Sequence, residues 1–104
     1  MAQYLFAYLG GNTPTSPEEG QKHFEKYTQW LTELGSAVVL PTIPLKDTMT
    51  VNSDGTVTEG TTTSMSGYTV IEVDSMDAAL EAAKACPFLE IGGSLEVSEF
   101  MEMG

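Results

Sequence analysis

The sequence contains no arginine, and its four lysines (Lys22, Lys26, Lys46 and Lys84) stand against 15 Asp and Glu, for a formal net charge of −11. Phosphate backbones are bound by clustered Lys and Arg that release counterions. No window here gathers more than two cations, so nucleic acid is not an expected partner. Anionic membrane surfaces are disfavoured on the same electrostatic ground. No apolar run approaches the ~20 residues that cross a bilayer, and no membrane role is expected.

Cysteine is equally scarce. Cys86 stands alone, so no intrachain disulfide can form and the chain is not a disulfide-stapled secreted domain. The opening stretch through Leu9 has neither the basic start nor the cleavage region of a signal peptide, and a reducing cytoplasm is the expected setting. With one histidine there is no Cys/His cluster for zinc. The turn at Asp54 lacks the acid spacing of a calcium loop, and Gly10-Gly11-Asn12 lacks the spacing and the lysine of a phosphate loop. No cofactor or metal is expected.

What is present suits one packed domain over residues 1–104: apolar residues make up 41% of the chain and charged residues 18%. The acidity reads as solubility through self-repulsion. Residues 3–9 are aromatic and aliphatic and stop at Gly10-Gly11, which predicts a first strand. Ser16-Pro17-Glu18-Glu19 combines an N-cap serine, a proline at the first helical position and a glutamate three residues after the cap. A helix is expected from there through Leu34, ending at Gly35. At helical spacing Phe24, Tyr27, Trp30, Leu31 and Leu34 fall on one arc, which should face the core.

Ala37 to Leu40 reads as a short buried strand, with Pro41 and Pro44 making the next stretch irregular. Asn52-Ser53-Asp54-Gly55 between two Thr/Val runs predicts a hairpin. Residues 59–67, mostly Thr, Ser and Gly, suit an exposed loop, and Tyr68 to Val73 a strand. Met76 to Ala85 is a strong helix former with a core face of Met76, Ala79, Leu80 and Ala83. Ser94 to Glu99 alternates as a half-buried strand does.

This order, strand, helix, strand, hairpin, strand, helix, strand, predicts a ferredoxin-like α+β fold: an antiparallel sheet with both helices on one face. In the first strand Tyr4, Phe6 and Tyr8 oppose Leu5, Ala7 and Leu9, so neither face is polar. Two helices cover one face only. An apolar second face on a small domain points to a sheet-to-sheet homodimer, the alternative being a monomer whose loops at 41–47 and 59–67 fold over it.

The segment Gly67 to Leu80, followed by Ala85-Cys86-Pro87, Gly92-Gly93-Ser94-Leu95-Glu96-Val97 and Met101-Glu102-Met103, resembles the YCII-related family. The opening Tyr4 to Gly11 and the stretch Trp30 to Leu45 belong to the same resemblance. It implies a dimeric α+β barrel of ferredoxin-like subunits and little about activity, although one branch is suspected of catalysis around a His and an Asp. The branch with an Asp-Gly-Pro-Phe signature is not matched, because this chain has Glu59-Gly60-Thr61-Thr62 at that place.

His23 projects onto the apolar arc of the first helix. One reading makes it a general acid or base at the mouth of a cleft; the other makes it a histidine packed at the edge of the core. The resemblance implies a helix-one histidine at a comparable position in members suspected of catalysis. Asp47, after the second strand, is the carboxylate placed to orient it, or else a turn residue. Tyr8, Tyr27, Trp30, Met65 and Tyr68 are candidates to line an aromatic pocket for a small ligand, or else core. Cys86 at a helix C-terminus is not an activated thiol. Three functions stay open: a small-molecule-binding homodimer, an enzyme using His23 as general acid or base with Asp47, and a structural or accessory dimer that presents an acidic surface to a protein.

Overall fold

Strand β1 (Ala2–Gly10) lies inside a four-stranded antiparallel sheet because both its edges are taken, one by β5 (Met65–Val73) and the other by β6 (Gly93–Glu99). Strand β2 (Val38–Pro44) pairs with β5, so the order is β2-β5-β1-β6, and a short ribbon of β3 (Met49–Val51) and β4 (Val57–Glu59) stands apart. With helices α1 (Pro17–Leu34) and α2 (Met76–Lys84) this is the ferredoxin-like α+β arrangement. The coordinates are a computed structural model and describe residues 1–12 and 15–101. Glu102 and Met103, part of the family resemblance, lie outside them.

The helix ends follow the capping residues. The Ser16 hydroxyl accepts the Glu19 N–H at 3.2 Å, an interaction worth about 1 kcal/mol. The Glu19 carboxylate reaches one residue beyond the cap, to the N–H and hydroxyl of Thr15, and is held below the usual carboxylate range by those bonds. Gly35 ends α1 at a φ of 56°, a backbone setting that disfavours side chains with a Cβ. Ser75 caps α2 in the same way as Ser16 caps α1.

Register decides the faces. Tyr4, Phe6 and Tyr8 pair with Ile71, Thr69 and Gly67, and their side chains pack with Trp30, Ala79, Ala83, Cys86 and Phe88 under the helices. Trp30 stacks on Phe6 with ring centres 6.2 Å apart, and its indole N–H donates to the Ala82 carbonyl at 3.0 Å, tying α1 to α2. Leu5, Ala7 and Leu9 face the other way, beside Val70 and Tyr68. The molecule is only 18 Å through its thinnest direction. That is one sheet and one helix layer, since a further layer would add about 10 Å. Among the described residues no helix lies over this second face, although Ala7 and Val70 within it are buried.

Four expectations need correction. The second strand does not stop at Leu40 but runs through Pro41 to Pro44; it is an edge strand with two register shifts, a place where a missing N–H costs no ladder bond. Strand β5 begins at Met65, three residues before the expected start at Tyr68, because Gly67 pairs with both Tyr8 and Pro44. Phe24 is 70% exposed and is not core. On α2 only Ala79 and Ala83 are buried, while Met76 and Leu80 remain outside.

A 3₁₀ turn at Pro87–Ile91 joins α2 to β6 and lays the Phe88 ring over Gly93. A Cβ at Gly93 would sit 2.1 Å from a Phe88 ring carbon, and Phe88 is itself buried. Gly93→Ala is expected to cost about 1–3 kcal/mol through overpacking, whereas Ser94→Ala at its exposed neighbour should stay within about 0.5 kcal/mol. Urea denaturation of the two variants checks this; equal midpoints would show that the ring yields freely.

Candidate functional site

Helix α1 is wider in its apolar arc than the sheet beneath it. Trp30 lies at one end of that arc, over the core, while Leu31 and Phe24 lie at the other and overhang the sheet edge formed by β2. The overhang leaves a groove of about 550 Å³ lined by Phe24, Tyr27, Thr28, Leu31 and Thr32 from α1 and by Pro41, Thr42 and Pro44 from β2. Two prolines on this edge replace backbone N–H groups with ring carbons, so the strand side of the groove is apolar.

The polar end of the groove is Thr42. Its hydroxyl lies 3.1 Å from the Tyr8 phenol and 3.0 Å from the Thr69 hydroxyl, and Tyr8 and Thr69 also bond to each other. Three hydroxyls closed in a triangle spend one donor each, so the capacity left over is acceptor lone pairs. Burial pushes the Tyr8 phenol up to about 12 and raises that of Tyr27 as well. Burial likewise pushes the Cys86 thiol up to about 11, so all three are neutral near pH 7 and Cys86 is not an activated nucleophile.

On the far side of Tyr27 sits His23, its ring edge-on to the phenol ring with centres 4.6 Å apart and planes at 87°. His23 is half-buried in a second depression of about 410 Å³ with Asn12, Thr15, Glu19, Lys22, Lys26, Glu90 and Ile91. Burial lowers its pKa from the ordinary value; the Glu90 carboxylate works against that shift and the Lys26 ammonium adds to it. A neutral imidazole near pH 7 can accept a proton. Lys26 and Glu90 pair at 3.0 Å, but both are more than half exposed, so the contact is worth little in stability.

Of the residues singled out in the sequence, Tyr8, Tyr27 and His23 meet here. Trp30 is buried in the core one turn along α1, with its N–H already bonded to Ala82. Tyr68 pairs with Ala7 and so lies on the opposite sheet face, and Met65 pairs with Leu9 at the start of β5. Asp47 is exposed in the loop after β2 with a φ of 55°. No hydrogen bond among the described residues joins it to His23, and the carboxylate whose charge reaches the imidazole is that of Glu90. Phe24, Leu31, Pro41, Thr42 and Pro44 were not foreseen as a group. The available signal was Phe24 at the extreme of its arc opposite a proline-bearing edge strand.

A ferredoxin-like sheet with an apolar groove beside a histidine-bearing helix defines the class. The chain belongs to the YCII-related family: the family model of the YCII-related domain matches residues 4–103. A search of curated proteins finds no match. Among solved structures, the 5-chloro-2-hydroxyhydroquinone dehydrochlorinase of Burkholderia phenoliruptrix, in complex with 2,5-dihydroxybenzoquinone, is similar with a TM-score of 0.58 and 17% identity. The match covers 97% of this chain and 95% of that one, and it shows a shared fold. No helix among the described residues is long and apolar enough to cross a membrane.

The folded His23 binds its proton more weakly than the unfolded one, whose pKa is near 6.5. Its contribution to stability is therefore present above pH 6.5 and lost as pH falls through that value toward the lower folded pKa. NMR titration of the imidazole should show a midpoint below 6.5. Glu90→Gln should lower the midpoint further, and Lys26→Met should raise it. A midpoint unmoved by both substitutions would place those charges out of reach of the ring.

Proposed function

We propose that this protein is a homodimer that binds a small hydroxylated ring compound in the groove between α1 and β2. The observation that carries the ligand reading is the pairing of an apolar groove with the Thr42 hydroxyl at its polar end, which is held by the buried hydroxyls of Tyr8 and Thr69. Apolar walls with few placed polar groups are what small-ligand sites consist of, and the spare acceptor capacity at Thr42 favours a ligand that donates through an O–H. The similar dehydrochlorinase, bound to a dihydroxybenzoquinone, agrees in ligand class.

The homodimer is supported by the second sheet face, over which no helix lies among the described residues and on which Leu5, Leu9 and Tyr68 stay partly exposed around the buried Ala7 and Val70. Because each copy carries a formal charge of −11, association works against like-charge repulsion, and the dissociation constant should fall as salt is raised. Sedimentation equilibrium at low and high salt checks this; a clean monomer mass at micromolar concentration refutes the dimer.

A second reading, an enzyme with His23 as general acid or base, is favoured by one contact. Tyr27 lines the groove on one side and meets the His23 ring on the other, so a ligand reaching past Tyr27 comes within range of the imidazole. Asp47 enters this reading only as a carboxylate that loop movement on binding could bring closer, while Glu90 already acts on the ring.

The protein contains a single tryptophan, Trp30, which stacks edge-on with Tyr27 at 6.3 Å and so reports on the groove. Titration with catechol, hydroquinone and 2,5-dihydroxybenzoquinone should change its fluorescence. Phe24→Ala, at an exposed position, and Thr42→Val should each weaken binding about tenfold, while His23→Ala should spare binding and abolish turnover if the chain is an enzyme. Absence of any response across this panel would leave the structural or accessory dimer as the better account.

A further inference from the structure

The β3–β4 ribbon has no place in its own subunit. Its two strands pack substantially on each other and on no other element. The radius of gyration is 15.0 Å, against about 13 Å for a compact chain of this length. The ribbon is also two-sided in character. Val51 pairs with Val57 and Met49 with Glu59 on one side, while Thr50 pairs with Thr58 on the other. The apolar side is open to water, with Val51 70%, Val57 59% and Met49 53% exposed. A two-stranded ribbon is at best marginal without something to pack on.

The roots of the ribbon hold it in this outward position. Among the described residues the two non-glycine residues at positive φ are Asp47 and Ser64, at 55° and 59°. Asp47 lies between β2 and β3, and Ser64 between β4 and β5, so both connections bend through unfavourable backbone settings. Such settings persist where surrounding contacts compensate them; at the β4–β5 root the Ser64 carbonyl accepts the Gly10 N–H at 3.0 Å, while the strands of the ribbon pack substantially on each other alone.

We propose that β3–β4 is an exchange arm, which in the homodimer lays its Met49, Val51 and Val57 side on the second copy of this chain. The proposal rests on the homodimer reading above and adds a contact to it. The accessible surface is 7119 Å², roughly 1,400 Å² more than the about 5,700 Å² expected of a compact monomer of this mass. That surplus exceeds the about 800 Å² each partner contributes to a standard interface. One chain thus leaves two apolar features incompletely covered, the exposed arm and the sheet face on which Leu5, Leu9 and Tyr68 stay partly accessible, and a two-fold axis between identical copies covers both at once. A different protein would have to bring a complement to each.

The test uses the full chain. Wild type and the double variant Val51→Asp/Val57→Asp are compared by sedimentation equilibrium, with circular dichroism to confirm that the double variant is folded; the arm lies off the core, so its fold should persist. The dissociation constant should rise about 100-fold or more, as burial of the valines is replaced by burial of charge. A benzophenone amino acid at position 51 should give, on irradiation, an adduct of twice the chain mass. A dimeric wild type whose variant dissociates no more readily, with adducts confined to one chain, overturns the arm and leaves the homodimer standing. A monomeric wild type overturns both.

Discussion

Strand β1 carries Tyr4, Phe6 and Tyr8 on one side and Leu5, Ala7 and Leu9 on the other, and both sides have to leave water. The register with β5 and β6 places the aromatic side against α1 and α2, where Phe6, Trp30, Ile71 and Ala79 close the core. The small aliphatic side gains only what its neighbours in the sheet provide. The two helices exhaust the covering material of the chain on the first side. From this one imbalance follow the thinness of the molecule and a second sheet face without a helix layer, and the hairpin beside it packs substantially on itself alone.

The groove has a similar origin at the sheet edge. An apolar arc that spans Trp30 to Phe24 needs more floor than a sheet ending at β2 can offer, so the Trp30 end is buried and the Phe24 end hangs over water. Pro41 and Pro44 remove N–H donors from that edge, which lets an apolar side chain sit beside a strand without orphaning backbone groups. Tyr8 is the inward-facing residue nearest this end of β1. Burying its hydroxyl under α1 would cost free energy unless it were bonded, and Thr69 on the adjacent strand β5 and Thr42 on β2 beyond it satisfy it. The polar end of the groove at Thr42 is thus the solution to a packing problem in the core.

Much of the architecture was legible because local chemistry and tertiary outcome agree. Ser16, Gly35 and Ser75 mark helix ends by the bonds and φ angles they make, and the alternation in β1 and β6 states which face is which. Legibility failed where neighbours decide. Pro41 looks like a strand breaker until β2 is known to lie at an edge, and Gly67 looks like loop until Tyr8 and Pro44 are found on either side of it. Phe24 has the right chemistry and spacing for a core residue, and only the width of the sheet excludes it. Of the site, His23 and Tyr27 were readable from the helix pattern, while Thr42 and the prolines became part of it through a long-range pairing that spacing does not encode.

The distribution of the few cations bears on what the site can accept. Two of the four lysines, Lys22 and Lys26, stand with His23, in a chain of net charge −11. Elsewhere the summed field repels anions; here Glu19 and Glu90 are partly offset by ammonium groups, and Glu19 is already engaged by Thr15. The groove has apolar walls along its length and the Thr42 hydroxyl at one end, and beyond Tyr27 it meets an imidazole with two lysines and two glutamates, whose formal charges cancel, instead of the acidic surface found over most of the protein. That change from apolar to charge-balanced polar, laid along one face of α1, is a consequence of where Lys22, His23, Lys26 and Tyr27 fall on the helix.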